Sequence, residues 1–140
     1  MELFKRILRT AVEGGASDVH LKVGNPVVFR IDGNLVDIES PLPTVEWVET
    51  ILQNIIPEHL KEVLQSEREI DFSYYLEGVG RFRTNCFQQR GTFALAMRYV
   101  KTDIPEFEEL GLIPVLKTIA EAPRGIVLVS GTTGSGKSTT

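Results

Sequence analysis

The sequence predicts an α+β protein: a mostly antiparallel sheet with flanking helices, followed by the opening of a second unit built on a parallel strand and a glycine-rich loop. Three observations carry that reading. An apolar stripe recurs at helical spacing near the N-terminus; turn dipeptides separate successive extended runs; and a short aliphatic run near the C-terminus feeds a glycine-rich loop ending in Gly136-Lys137-Ser138.

Phe4, Ile7, Leu8, Ala11 and Val12 would share one buried helix face, and Gly14-Gly15 supplies the stop. Residues Asp18 to Val23 alternate as a strand and end at Gly24-Asn25-Pro26. Val27 to Ile31 and Leu35 to Ile38 face each other across Asp32-Gly33-Asn34, a hairpin signal. Thr44 can cap a helix whose Val45, Val48, Leu52, Ile55 and Ile56 share a face, and Pro57 opens a further helical turn with Leu60, Val63 and Leu64. Three more extended runs, roughly Glu69 to Leu76, Val79 to Gln88 and Thr92 to Val100, are separated by Glu77-Gly78 and Arg90-Gly91 and read as consecutive hairpins. The pattern breaks at 102–105. Phe107 to Ala122, interrupted by Pro114, reads as two short helices of a linker. Ile126 to Val129 has the continuous aliphatic character of a parallel strand buried on both faces. The expected organisation is thus a domain over 1–101, a linker over 102–122 and the start of a second domain over 123–140.

With 140 residues the chain holds one complete domain and no second one. Hydrophobic residues at 42% and charged residues at 24% are ordinary for a globular protein, and no run reaches the roughly 18 apolar residues of a membrane span. Met1-Glu-Leu-Phe-Lys-Arg6 is amphipathic and lacks the layout of a signal peptide, which points to the cytoplasm. The lone Cys86 has no disulfide or metal-ligand partner at useful spacing and reads as a small buried apolar residue in a reducing compartment. A net charge of −4 argues against broad nucleic-acid binding.

The loop Gly131-Thr132-Thr133-Gly134-Ser135-Gly136-Lys137-Ser138-Thr139 matches the phosphate-binding pattern G-x-x-x-x-G-K-[ST] directly after a predicted strand. Its glycines would let backbone N–H groups turn inward to cradle phosphates, Lys137 would reach the β- and γ-phosphates, and the Ser138 hydroxyl would sit on the Mg²⁺ that accompanies ATP. Phosphoryl transfer also needs a Walker-B carboxylate and a water-orienting residue. Neither follows Ser138 within these 140 residues, so the chain alone is expected to bind nucleotide weakly at best and not to hydrolyse it.

Strand alternation puts Arg81, Arg83 and Asn85 on one face, with Phe82, Thr84 and Cys86 on the other; Arg98 likewise shares a face with Ala94 and Ala96. Arginine's planar fork suits phosphate or carboxylate. By spacing alone this face reads as a solvated sheet surface with ordinary ion pairs, phosphate recognition being the alternative. Asp18 and His20 read as a hydrogen-bonded structural pair, and Trp47 and Tyr74-Tyr75 as packing residues.

Taken together, Gly14-Gly-Ala-Ser-Asp-Val-His-Leu21, Phe29-Arg-Ile-Asp-Gly33, the run from Gly80 to Gly91, Glu108-Glu-Leu-Gly-Leu112 and the run from Pro123 to Thr139 resemble the type IV pilus retraction ATPases of the PilT and PilU type. The resemblance extends over the whole chain. It implies a PAS-like N-terminal domain, a linker and the truncated start of a RecA-like ATPase domain. It further implies assembly into a homohexamer at the cytoplasmic base of the pilus, peripheral to the inner membrane and in contact with its platform proteins, with no nucleic acid and no membrane insertion. ATP hydrolysis would there drive filament retraction and twitching motility. By motif position Arg83 and Arg98, and less clearly Arg81, match arginines that reach nucleotide in the wider superfamily, which would join them to Lys137 in catalysis. Thr133 departs from the proline-threonine pair of many members, and the acidic box, Walker-B and histidine-box segments would all lie beyond residue 140. Pilus extension, type II secretion, or a PAS-like ligand-sensing module coupled to an ATPase are the alternatives.

Overall fold

Helix α1 (Glu2–Glu13) buries the predicted Phe4, Ile7, Leu8 and Ala11 and half-buries Val12. It stops where expected: the Gly14 N–H still reaches the Thr10 carbonyl at 2.9 Å, and Gly15 turns to a φ of 73°. Helix α2 (Val45–Ile55) is capped by the Thr44 hydroxyl, which accepts a hydrogen bond from the Trp47 N–H at 3.2 Å, a contact worth about 1 kcal/mol. Helix α3 (Glu58–Glu67) starts after Pro57 and ends at Arg68, whose φ of 61° closes the helix. These features belong to a computed structural model that describes residues 1–101, 106–132 and 135–137 and divides into two units, Met1–Thr102 and Asp103–Thr140.

The first unit is a mixed α+β domain on one six-stranded antiparallel sheet in the order β3-β2-β1-β6-β5-β4. Its strands are β1 (Asp18–Lys22), β2 (Val27–Ile31), β3 (Asn34–Ile38), β4 (Glu69–Leu76), β5 (Gly80–Gln89) and β6 (Thr92–Val100). Two hairpins close through two-residue turns, Asp32-Gly33 with φ of 48° and 83° and Arg90-Gly91 with φ of 52° and 85°, so both central residues are left-handed as the twist of paired strands favours. Spacing does not predict the joint between the two halves of the sheet. There β1 lies beside β6, with Asp18 opposite Arg98 and Leu21 opposite Leu95.

Register sorts the sheet into two faces. Val19, Leu21, Phe29, Phe72, Phe82, Cys86, Leu95 and Met97 meet the apolar sides of all three helices in one core. The Phe82 and Tyr99 rings lie 5.5 Å apart within it. Burial pushes the Cys86 thiol up to about 12, in line with a packing residue. The opposite face carries the polar set. Of the three aromatic residues expected to pack, Trp47 and Tyr74 do, whereas Tyr75 is 64% exposed because β4 alternation turns it to the polar face, opposite Arg81.

In the second unit only one of the two expected linker helices forms, α4 (Val115–Ala120). Phe107 to Gly111 make single turns that end at Gly111, with a φ of 63°, too short a stretch to repay helix nucleation. Ile126 to Val129 do not form the expected strand and are 51–88% exposed. A strand meant to be covered on both faces needs neighbours, and none pairs with it among the described residues. The expected start of the linker, 102–105, lies outside the described residues.

Candidate functional site

On the polar face the register lines up one row across five strands: Arg30 on β2, Asp18 on β1, Arg98 on β6, Arg83 on β5 and Ser73 on β4. The row beside it is Val28, His20, Ala96, Asn85 and Asp71. Because Ala96 is small and its neighbours are long, the surface dips there into a depression of about 370 Å³ lined by Asp18, His20, Glu69, Asp71, Arg83, Asn85, Ala96 and Arg98. The two arginines singled out by the sequence are therefore direct cross-strand neighbours. Arg81 lies one row away, between Tyr75 and Val100.

Two like charges directly opposite each other repel. Each has a carboxylate in compensation, but the two pairs are unequal. Arg98 Nε donates to Asp18 Oδ1 at 2.8 Å, and that aspartate is only 7% exposed. Arg83 Nε stands 3.8 Å from Asp71 Oδ1, with both side chains more than half exposed, so this pair contributes about 0.2–1 kcal/mol at most. Asp18 Oδ2 also accepts from the Ser17 hydroxyl at 2.8 Å and faces Arg30 Nε at 3.4 Å. Burial by itself would raise the Asp18 carboxyl; the hydrogen bonds from Ser17 and Arg98 and the charges of Arg98 and Arg30 outweigh it and hold the group below its ordinary value.

The expected hydrogen-bonded Asp18–His20 pair is not formed. Asp18 spends its lone pairs on Ser17 and the arginines, and the buried His20 Nε2 has no hydrogen-bond partner. Burial lowers the His20 pKa; the Asp18 charge opposes this, and Arg30 and Arg98 reinforce it. The sequence reading does not single out Arg30 at all. The signal that could find it is the register set by the Asp32-Gly33 turn, which brings Arg30 opposite Asp18.

In the second unit, Gly131, Thr132, Ser135, Gly136 and Lys137 of the glycine-rich loop are described, whereas Thr133, Gly134, Ser138 and Thr139 lie outside the described residues. Gly136 adopts a φ of +86°, which favours glycine, whereas a Cβ at Gly131 would crowd only the Ser135 hydroxyl, which can rotate away. Lys137 Nζ donates to the Thr132 carbonyl at 2.6 Å, folding the ammonium back over the loop. A backbone turn topped by one ammonium is a donor set suited to phosphate. Among the described residues no cluster of three or more His, Cys, Asp or Glu could hold a metal ion, and the predicted Mg²⁺ ligand, Ser138, lies outside those residues.

The chain thus carries a glycine-lysine loop in one unit and an arginine-bearing α+β sheet in the other, and comparison with known proteins identifies its class. The family model for type II/IV secretion system proteins matches residues 1–140, and the chain belongs to that family. It is 37% identical over 134 residues to the type IV pilus retraction ATPase PilT of Pseudomonas aeruginosa, covering 96% of this chain and 39% of that protein. It is 35% identical over 137 residues to the type IV pilus ATPase PilU of the same organism, covering 97% of this chain and 36% of that protein. A crystal structure of the pilus retraction motor PilT with bound ADP superposes with a TM-score of 0.86 at 40% identity, covering 96% of this chain and 40% of that one. The Legionella pneumophila ATPase DotB gives 0.80 at 26% identity, covering 99% and 40% of the two chains. The chain thus spans about two fifths of the length of these relatives. Among the described residues no helix is long and apolar enough to cross a membrane.

Proposed function

We propose that residues 1–140 are the N-terminal part of an ATP-hydrolysing motor that drives type IV pilus retraction and twitching motility. The observation that carries this reading is the side-by-side placement of Arg83 and Arg98 on an open sheet face, in a chain that also holds the Gly131 to Lys137 loop. The higher identity to PilT and PilU supports retraction over the secretion and extension roles, since identity is 28% to the type II secretion system protein E of Xanthomonas campestris and 30% to the type IV pilus assembly ATPase PilB of Thermus thermophilus.

On this reading 1–101 is a PAS-like domain, 102–122 a linker and 123–140 the start of a RecA-like ATPase domain. The loop residues 131–139 hold the phosphates of ATP through backbone N–H groups, and Ser138 holds Mg²⁺. Lys137 leaves the Thr132 carbonyl for the β- and γ-phosphates, exchanging a neutral acceptor for a charged one. Arg83 and Arg98 stabilise charge on the transferring phosphoryl group when the domain closes over nucleotide, and opening releases product. The complete motor is a cytoplasmic homohexamer at the inner-membrane base of the pilus, working on the platform proteins, with no nucleic acid partner. Residues 1–140 by themselves hold a phosphate cradle without a Walker-B carboxylate, so in isolation they bind nucleotide weakly at best and do not turn it over.

The test is ATP turnover in the protein extended to the length of its relatives. Lys137→Ala should abolish turnover, and Arg83→Ala or Arg98→Ala should lower it with folding intact. Unchanged turnover in both arginine variants would instead favour a ligand-sensing role for the first domain. Loss of surface twitching, with pili still assembled, would separate retraction from extension.

A further inference from the structure

We infer that Asp18 is a positioning residue for Arg98, holding its guanidinium by the Nε edge so that the two terminal nitrogens stay free to meet an anion. The inference rests on the proposed nucleotide role of Arg98. Four observations converge on it. The Asp18 side chain is buried, whereas the Arg98 side chain it binds is 69% exposed, so a fixed carboxylate anchors a group that faces outward. The 2.8 Å bond uses Nε, and no hydrogen bond to the terminal nitrogens of Arg98 is found among the described residues. Asp18 is itself braced: Ser17 bonds its other oxygen, the Ser17 N–H donates to the Arg30 carbonyl at 2.8 Å, and the Tyr99 N–H donates to the Ser17 carbonyl at 3.0 Å. Finally, Arg98 stands directly opposite Arg83, where unbalanced repulsion would push the two forks apart rather than converge them on one ligand.

Arginine carries a large side-chain entropy, and a guanidinium that must be found in one orientation loses that entropy at each catalytic cycle unless it is already held. Arg83, with only its long exposed pair to Asp71, is not held in this way. Asp18 therefore acts through Arg98 and need not touch nucleotide.

The experiment is a double-mutant cycle on ATP turnover in the protein extended to the length of its relatives, with thermal melts of every variant. Asp18→Ala should lower kcat by about 10-fold or more, the scale on which a misplaced catalytic group is felt, with the KM for ATP changed by less than about 2-fold. Asp18→Asn, which keeps the shape and an acceptor for Nε, should fall between Asp18→Ala and the unsubstituted protein. In the Arg98→Ala background, either Asp18 substitution should cost nothing further. If Asp18→Ala does not fold, the Asp18→Asn cycle decides by the same criterion. Losses that multiply with that of Arg98→Ala, or wild-type kcat in Asp18→Asn and Asp18→Ala while Arg98→Ala is slow, overturn the positioning role and leave the nucleotide role of Arg98 standing. Wild-type turnover in Arg98→Ala overturns the nucleotide role and the inference with it.

Discussion

An alanine pair on β5 tests the two-faced sheet on which the functional reading depends. Phe82 is fully buried, with its ring 5.5 Å from that of Tyr99, so Phe82→Ala removes a large side chain from a site closed on all sides. The cost is about 3–5 kcal/mol from lost transfer energy and residual cavity. At about 4–8 °C per kcal/mol for a unit of this size, the Tm should fall by at least about 12 °C. Its neighbour Arg83 is 73% exposed and its one ion pair is 3.8 Å long. Arg83→Ala should therefore cost about 0.5 kcal/mol or less, and relief of repulsion with Arg98 offsets part of that. Urea unfolding of the chain, followed by circular dichroism with m-values compared, measures both. A cost above about 2 kcal/mol for Arg83→Ala would refute the face assignment and would also disqualify that variant as a probe of nucleotide chemistry.

Further expectations follow from individual groups. Because the Asp18 carboxyl is held below its ordinary value in the folded chain, its contribution is present above the unfolded pKa of about 3.9 and is lost as pH falls through the folded one. Asp18→Asn should thus be less stable at neutral pH, and its gap to the parent should close in acid; a gap independent of pH in Tm measurements would contradict this. His20 prefers its neutral form in the fold, so its contribution is present above about pH 6.5 and falls away below it. Substituting His20→Gln should flatten the stability profile below about pH 6.5. Cys86, buried and with its thiol pushed up to about 12, should resist iodoacetamide in the native chain and react once urea unfolds it; fast native labelling would mean that the core is misassigned. Gly80 has a φ of 134°, and a Cβ there would lie 2.9 Å from Tyr99 Cε2, so Gly80→Ala should cost about 1–3 kcal/mol in unfolding experiments.

Local physics made much of this protein legible. The helical stripe from Phe4, the Thr44 cap and the turns at Asp32-Gly33 and Arg90-Gly91 are each decided by a few neighbouring residues, and the structure follows them. Alternation along β5 and β6 correctly separated Arg81, Arg83 and Arg98 from Phe82, Cys86, Leu95 and Met97, because side-chain direction in a strand has a period of two. The strand expected at Ile126 to Val129 did not follow, since a strand exists only with a partner, and composition reports the appetite for burial without supplying one.

The sequence by itself determined the elements of the first unit and the faces of its strands. Only the tertiary structure decided that β1 lies beside β6, a pairing between residues 80 apart for Asp18 and Arg98, with no turn chemistry to announce it. That pairing moves Asp18 from a local partnership with His20 to the buried anchor of an arginine. Long-range pairing is selected by total burial across the sheet, and no window of neighbouring residues contains that information.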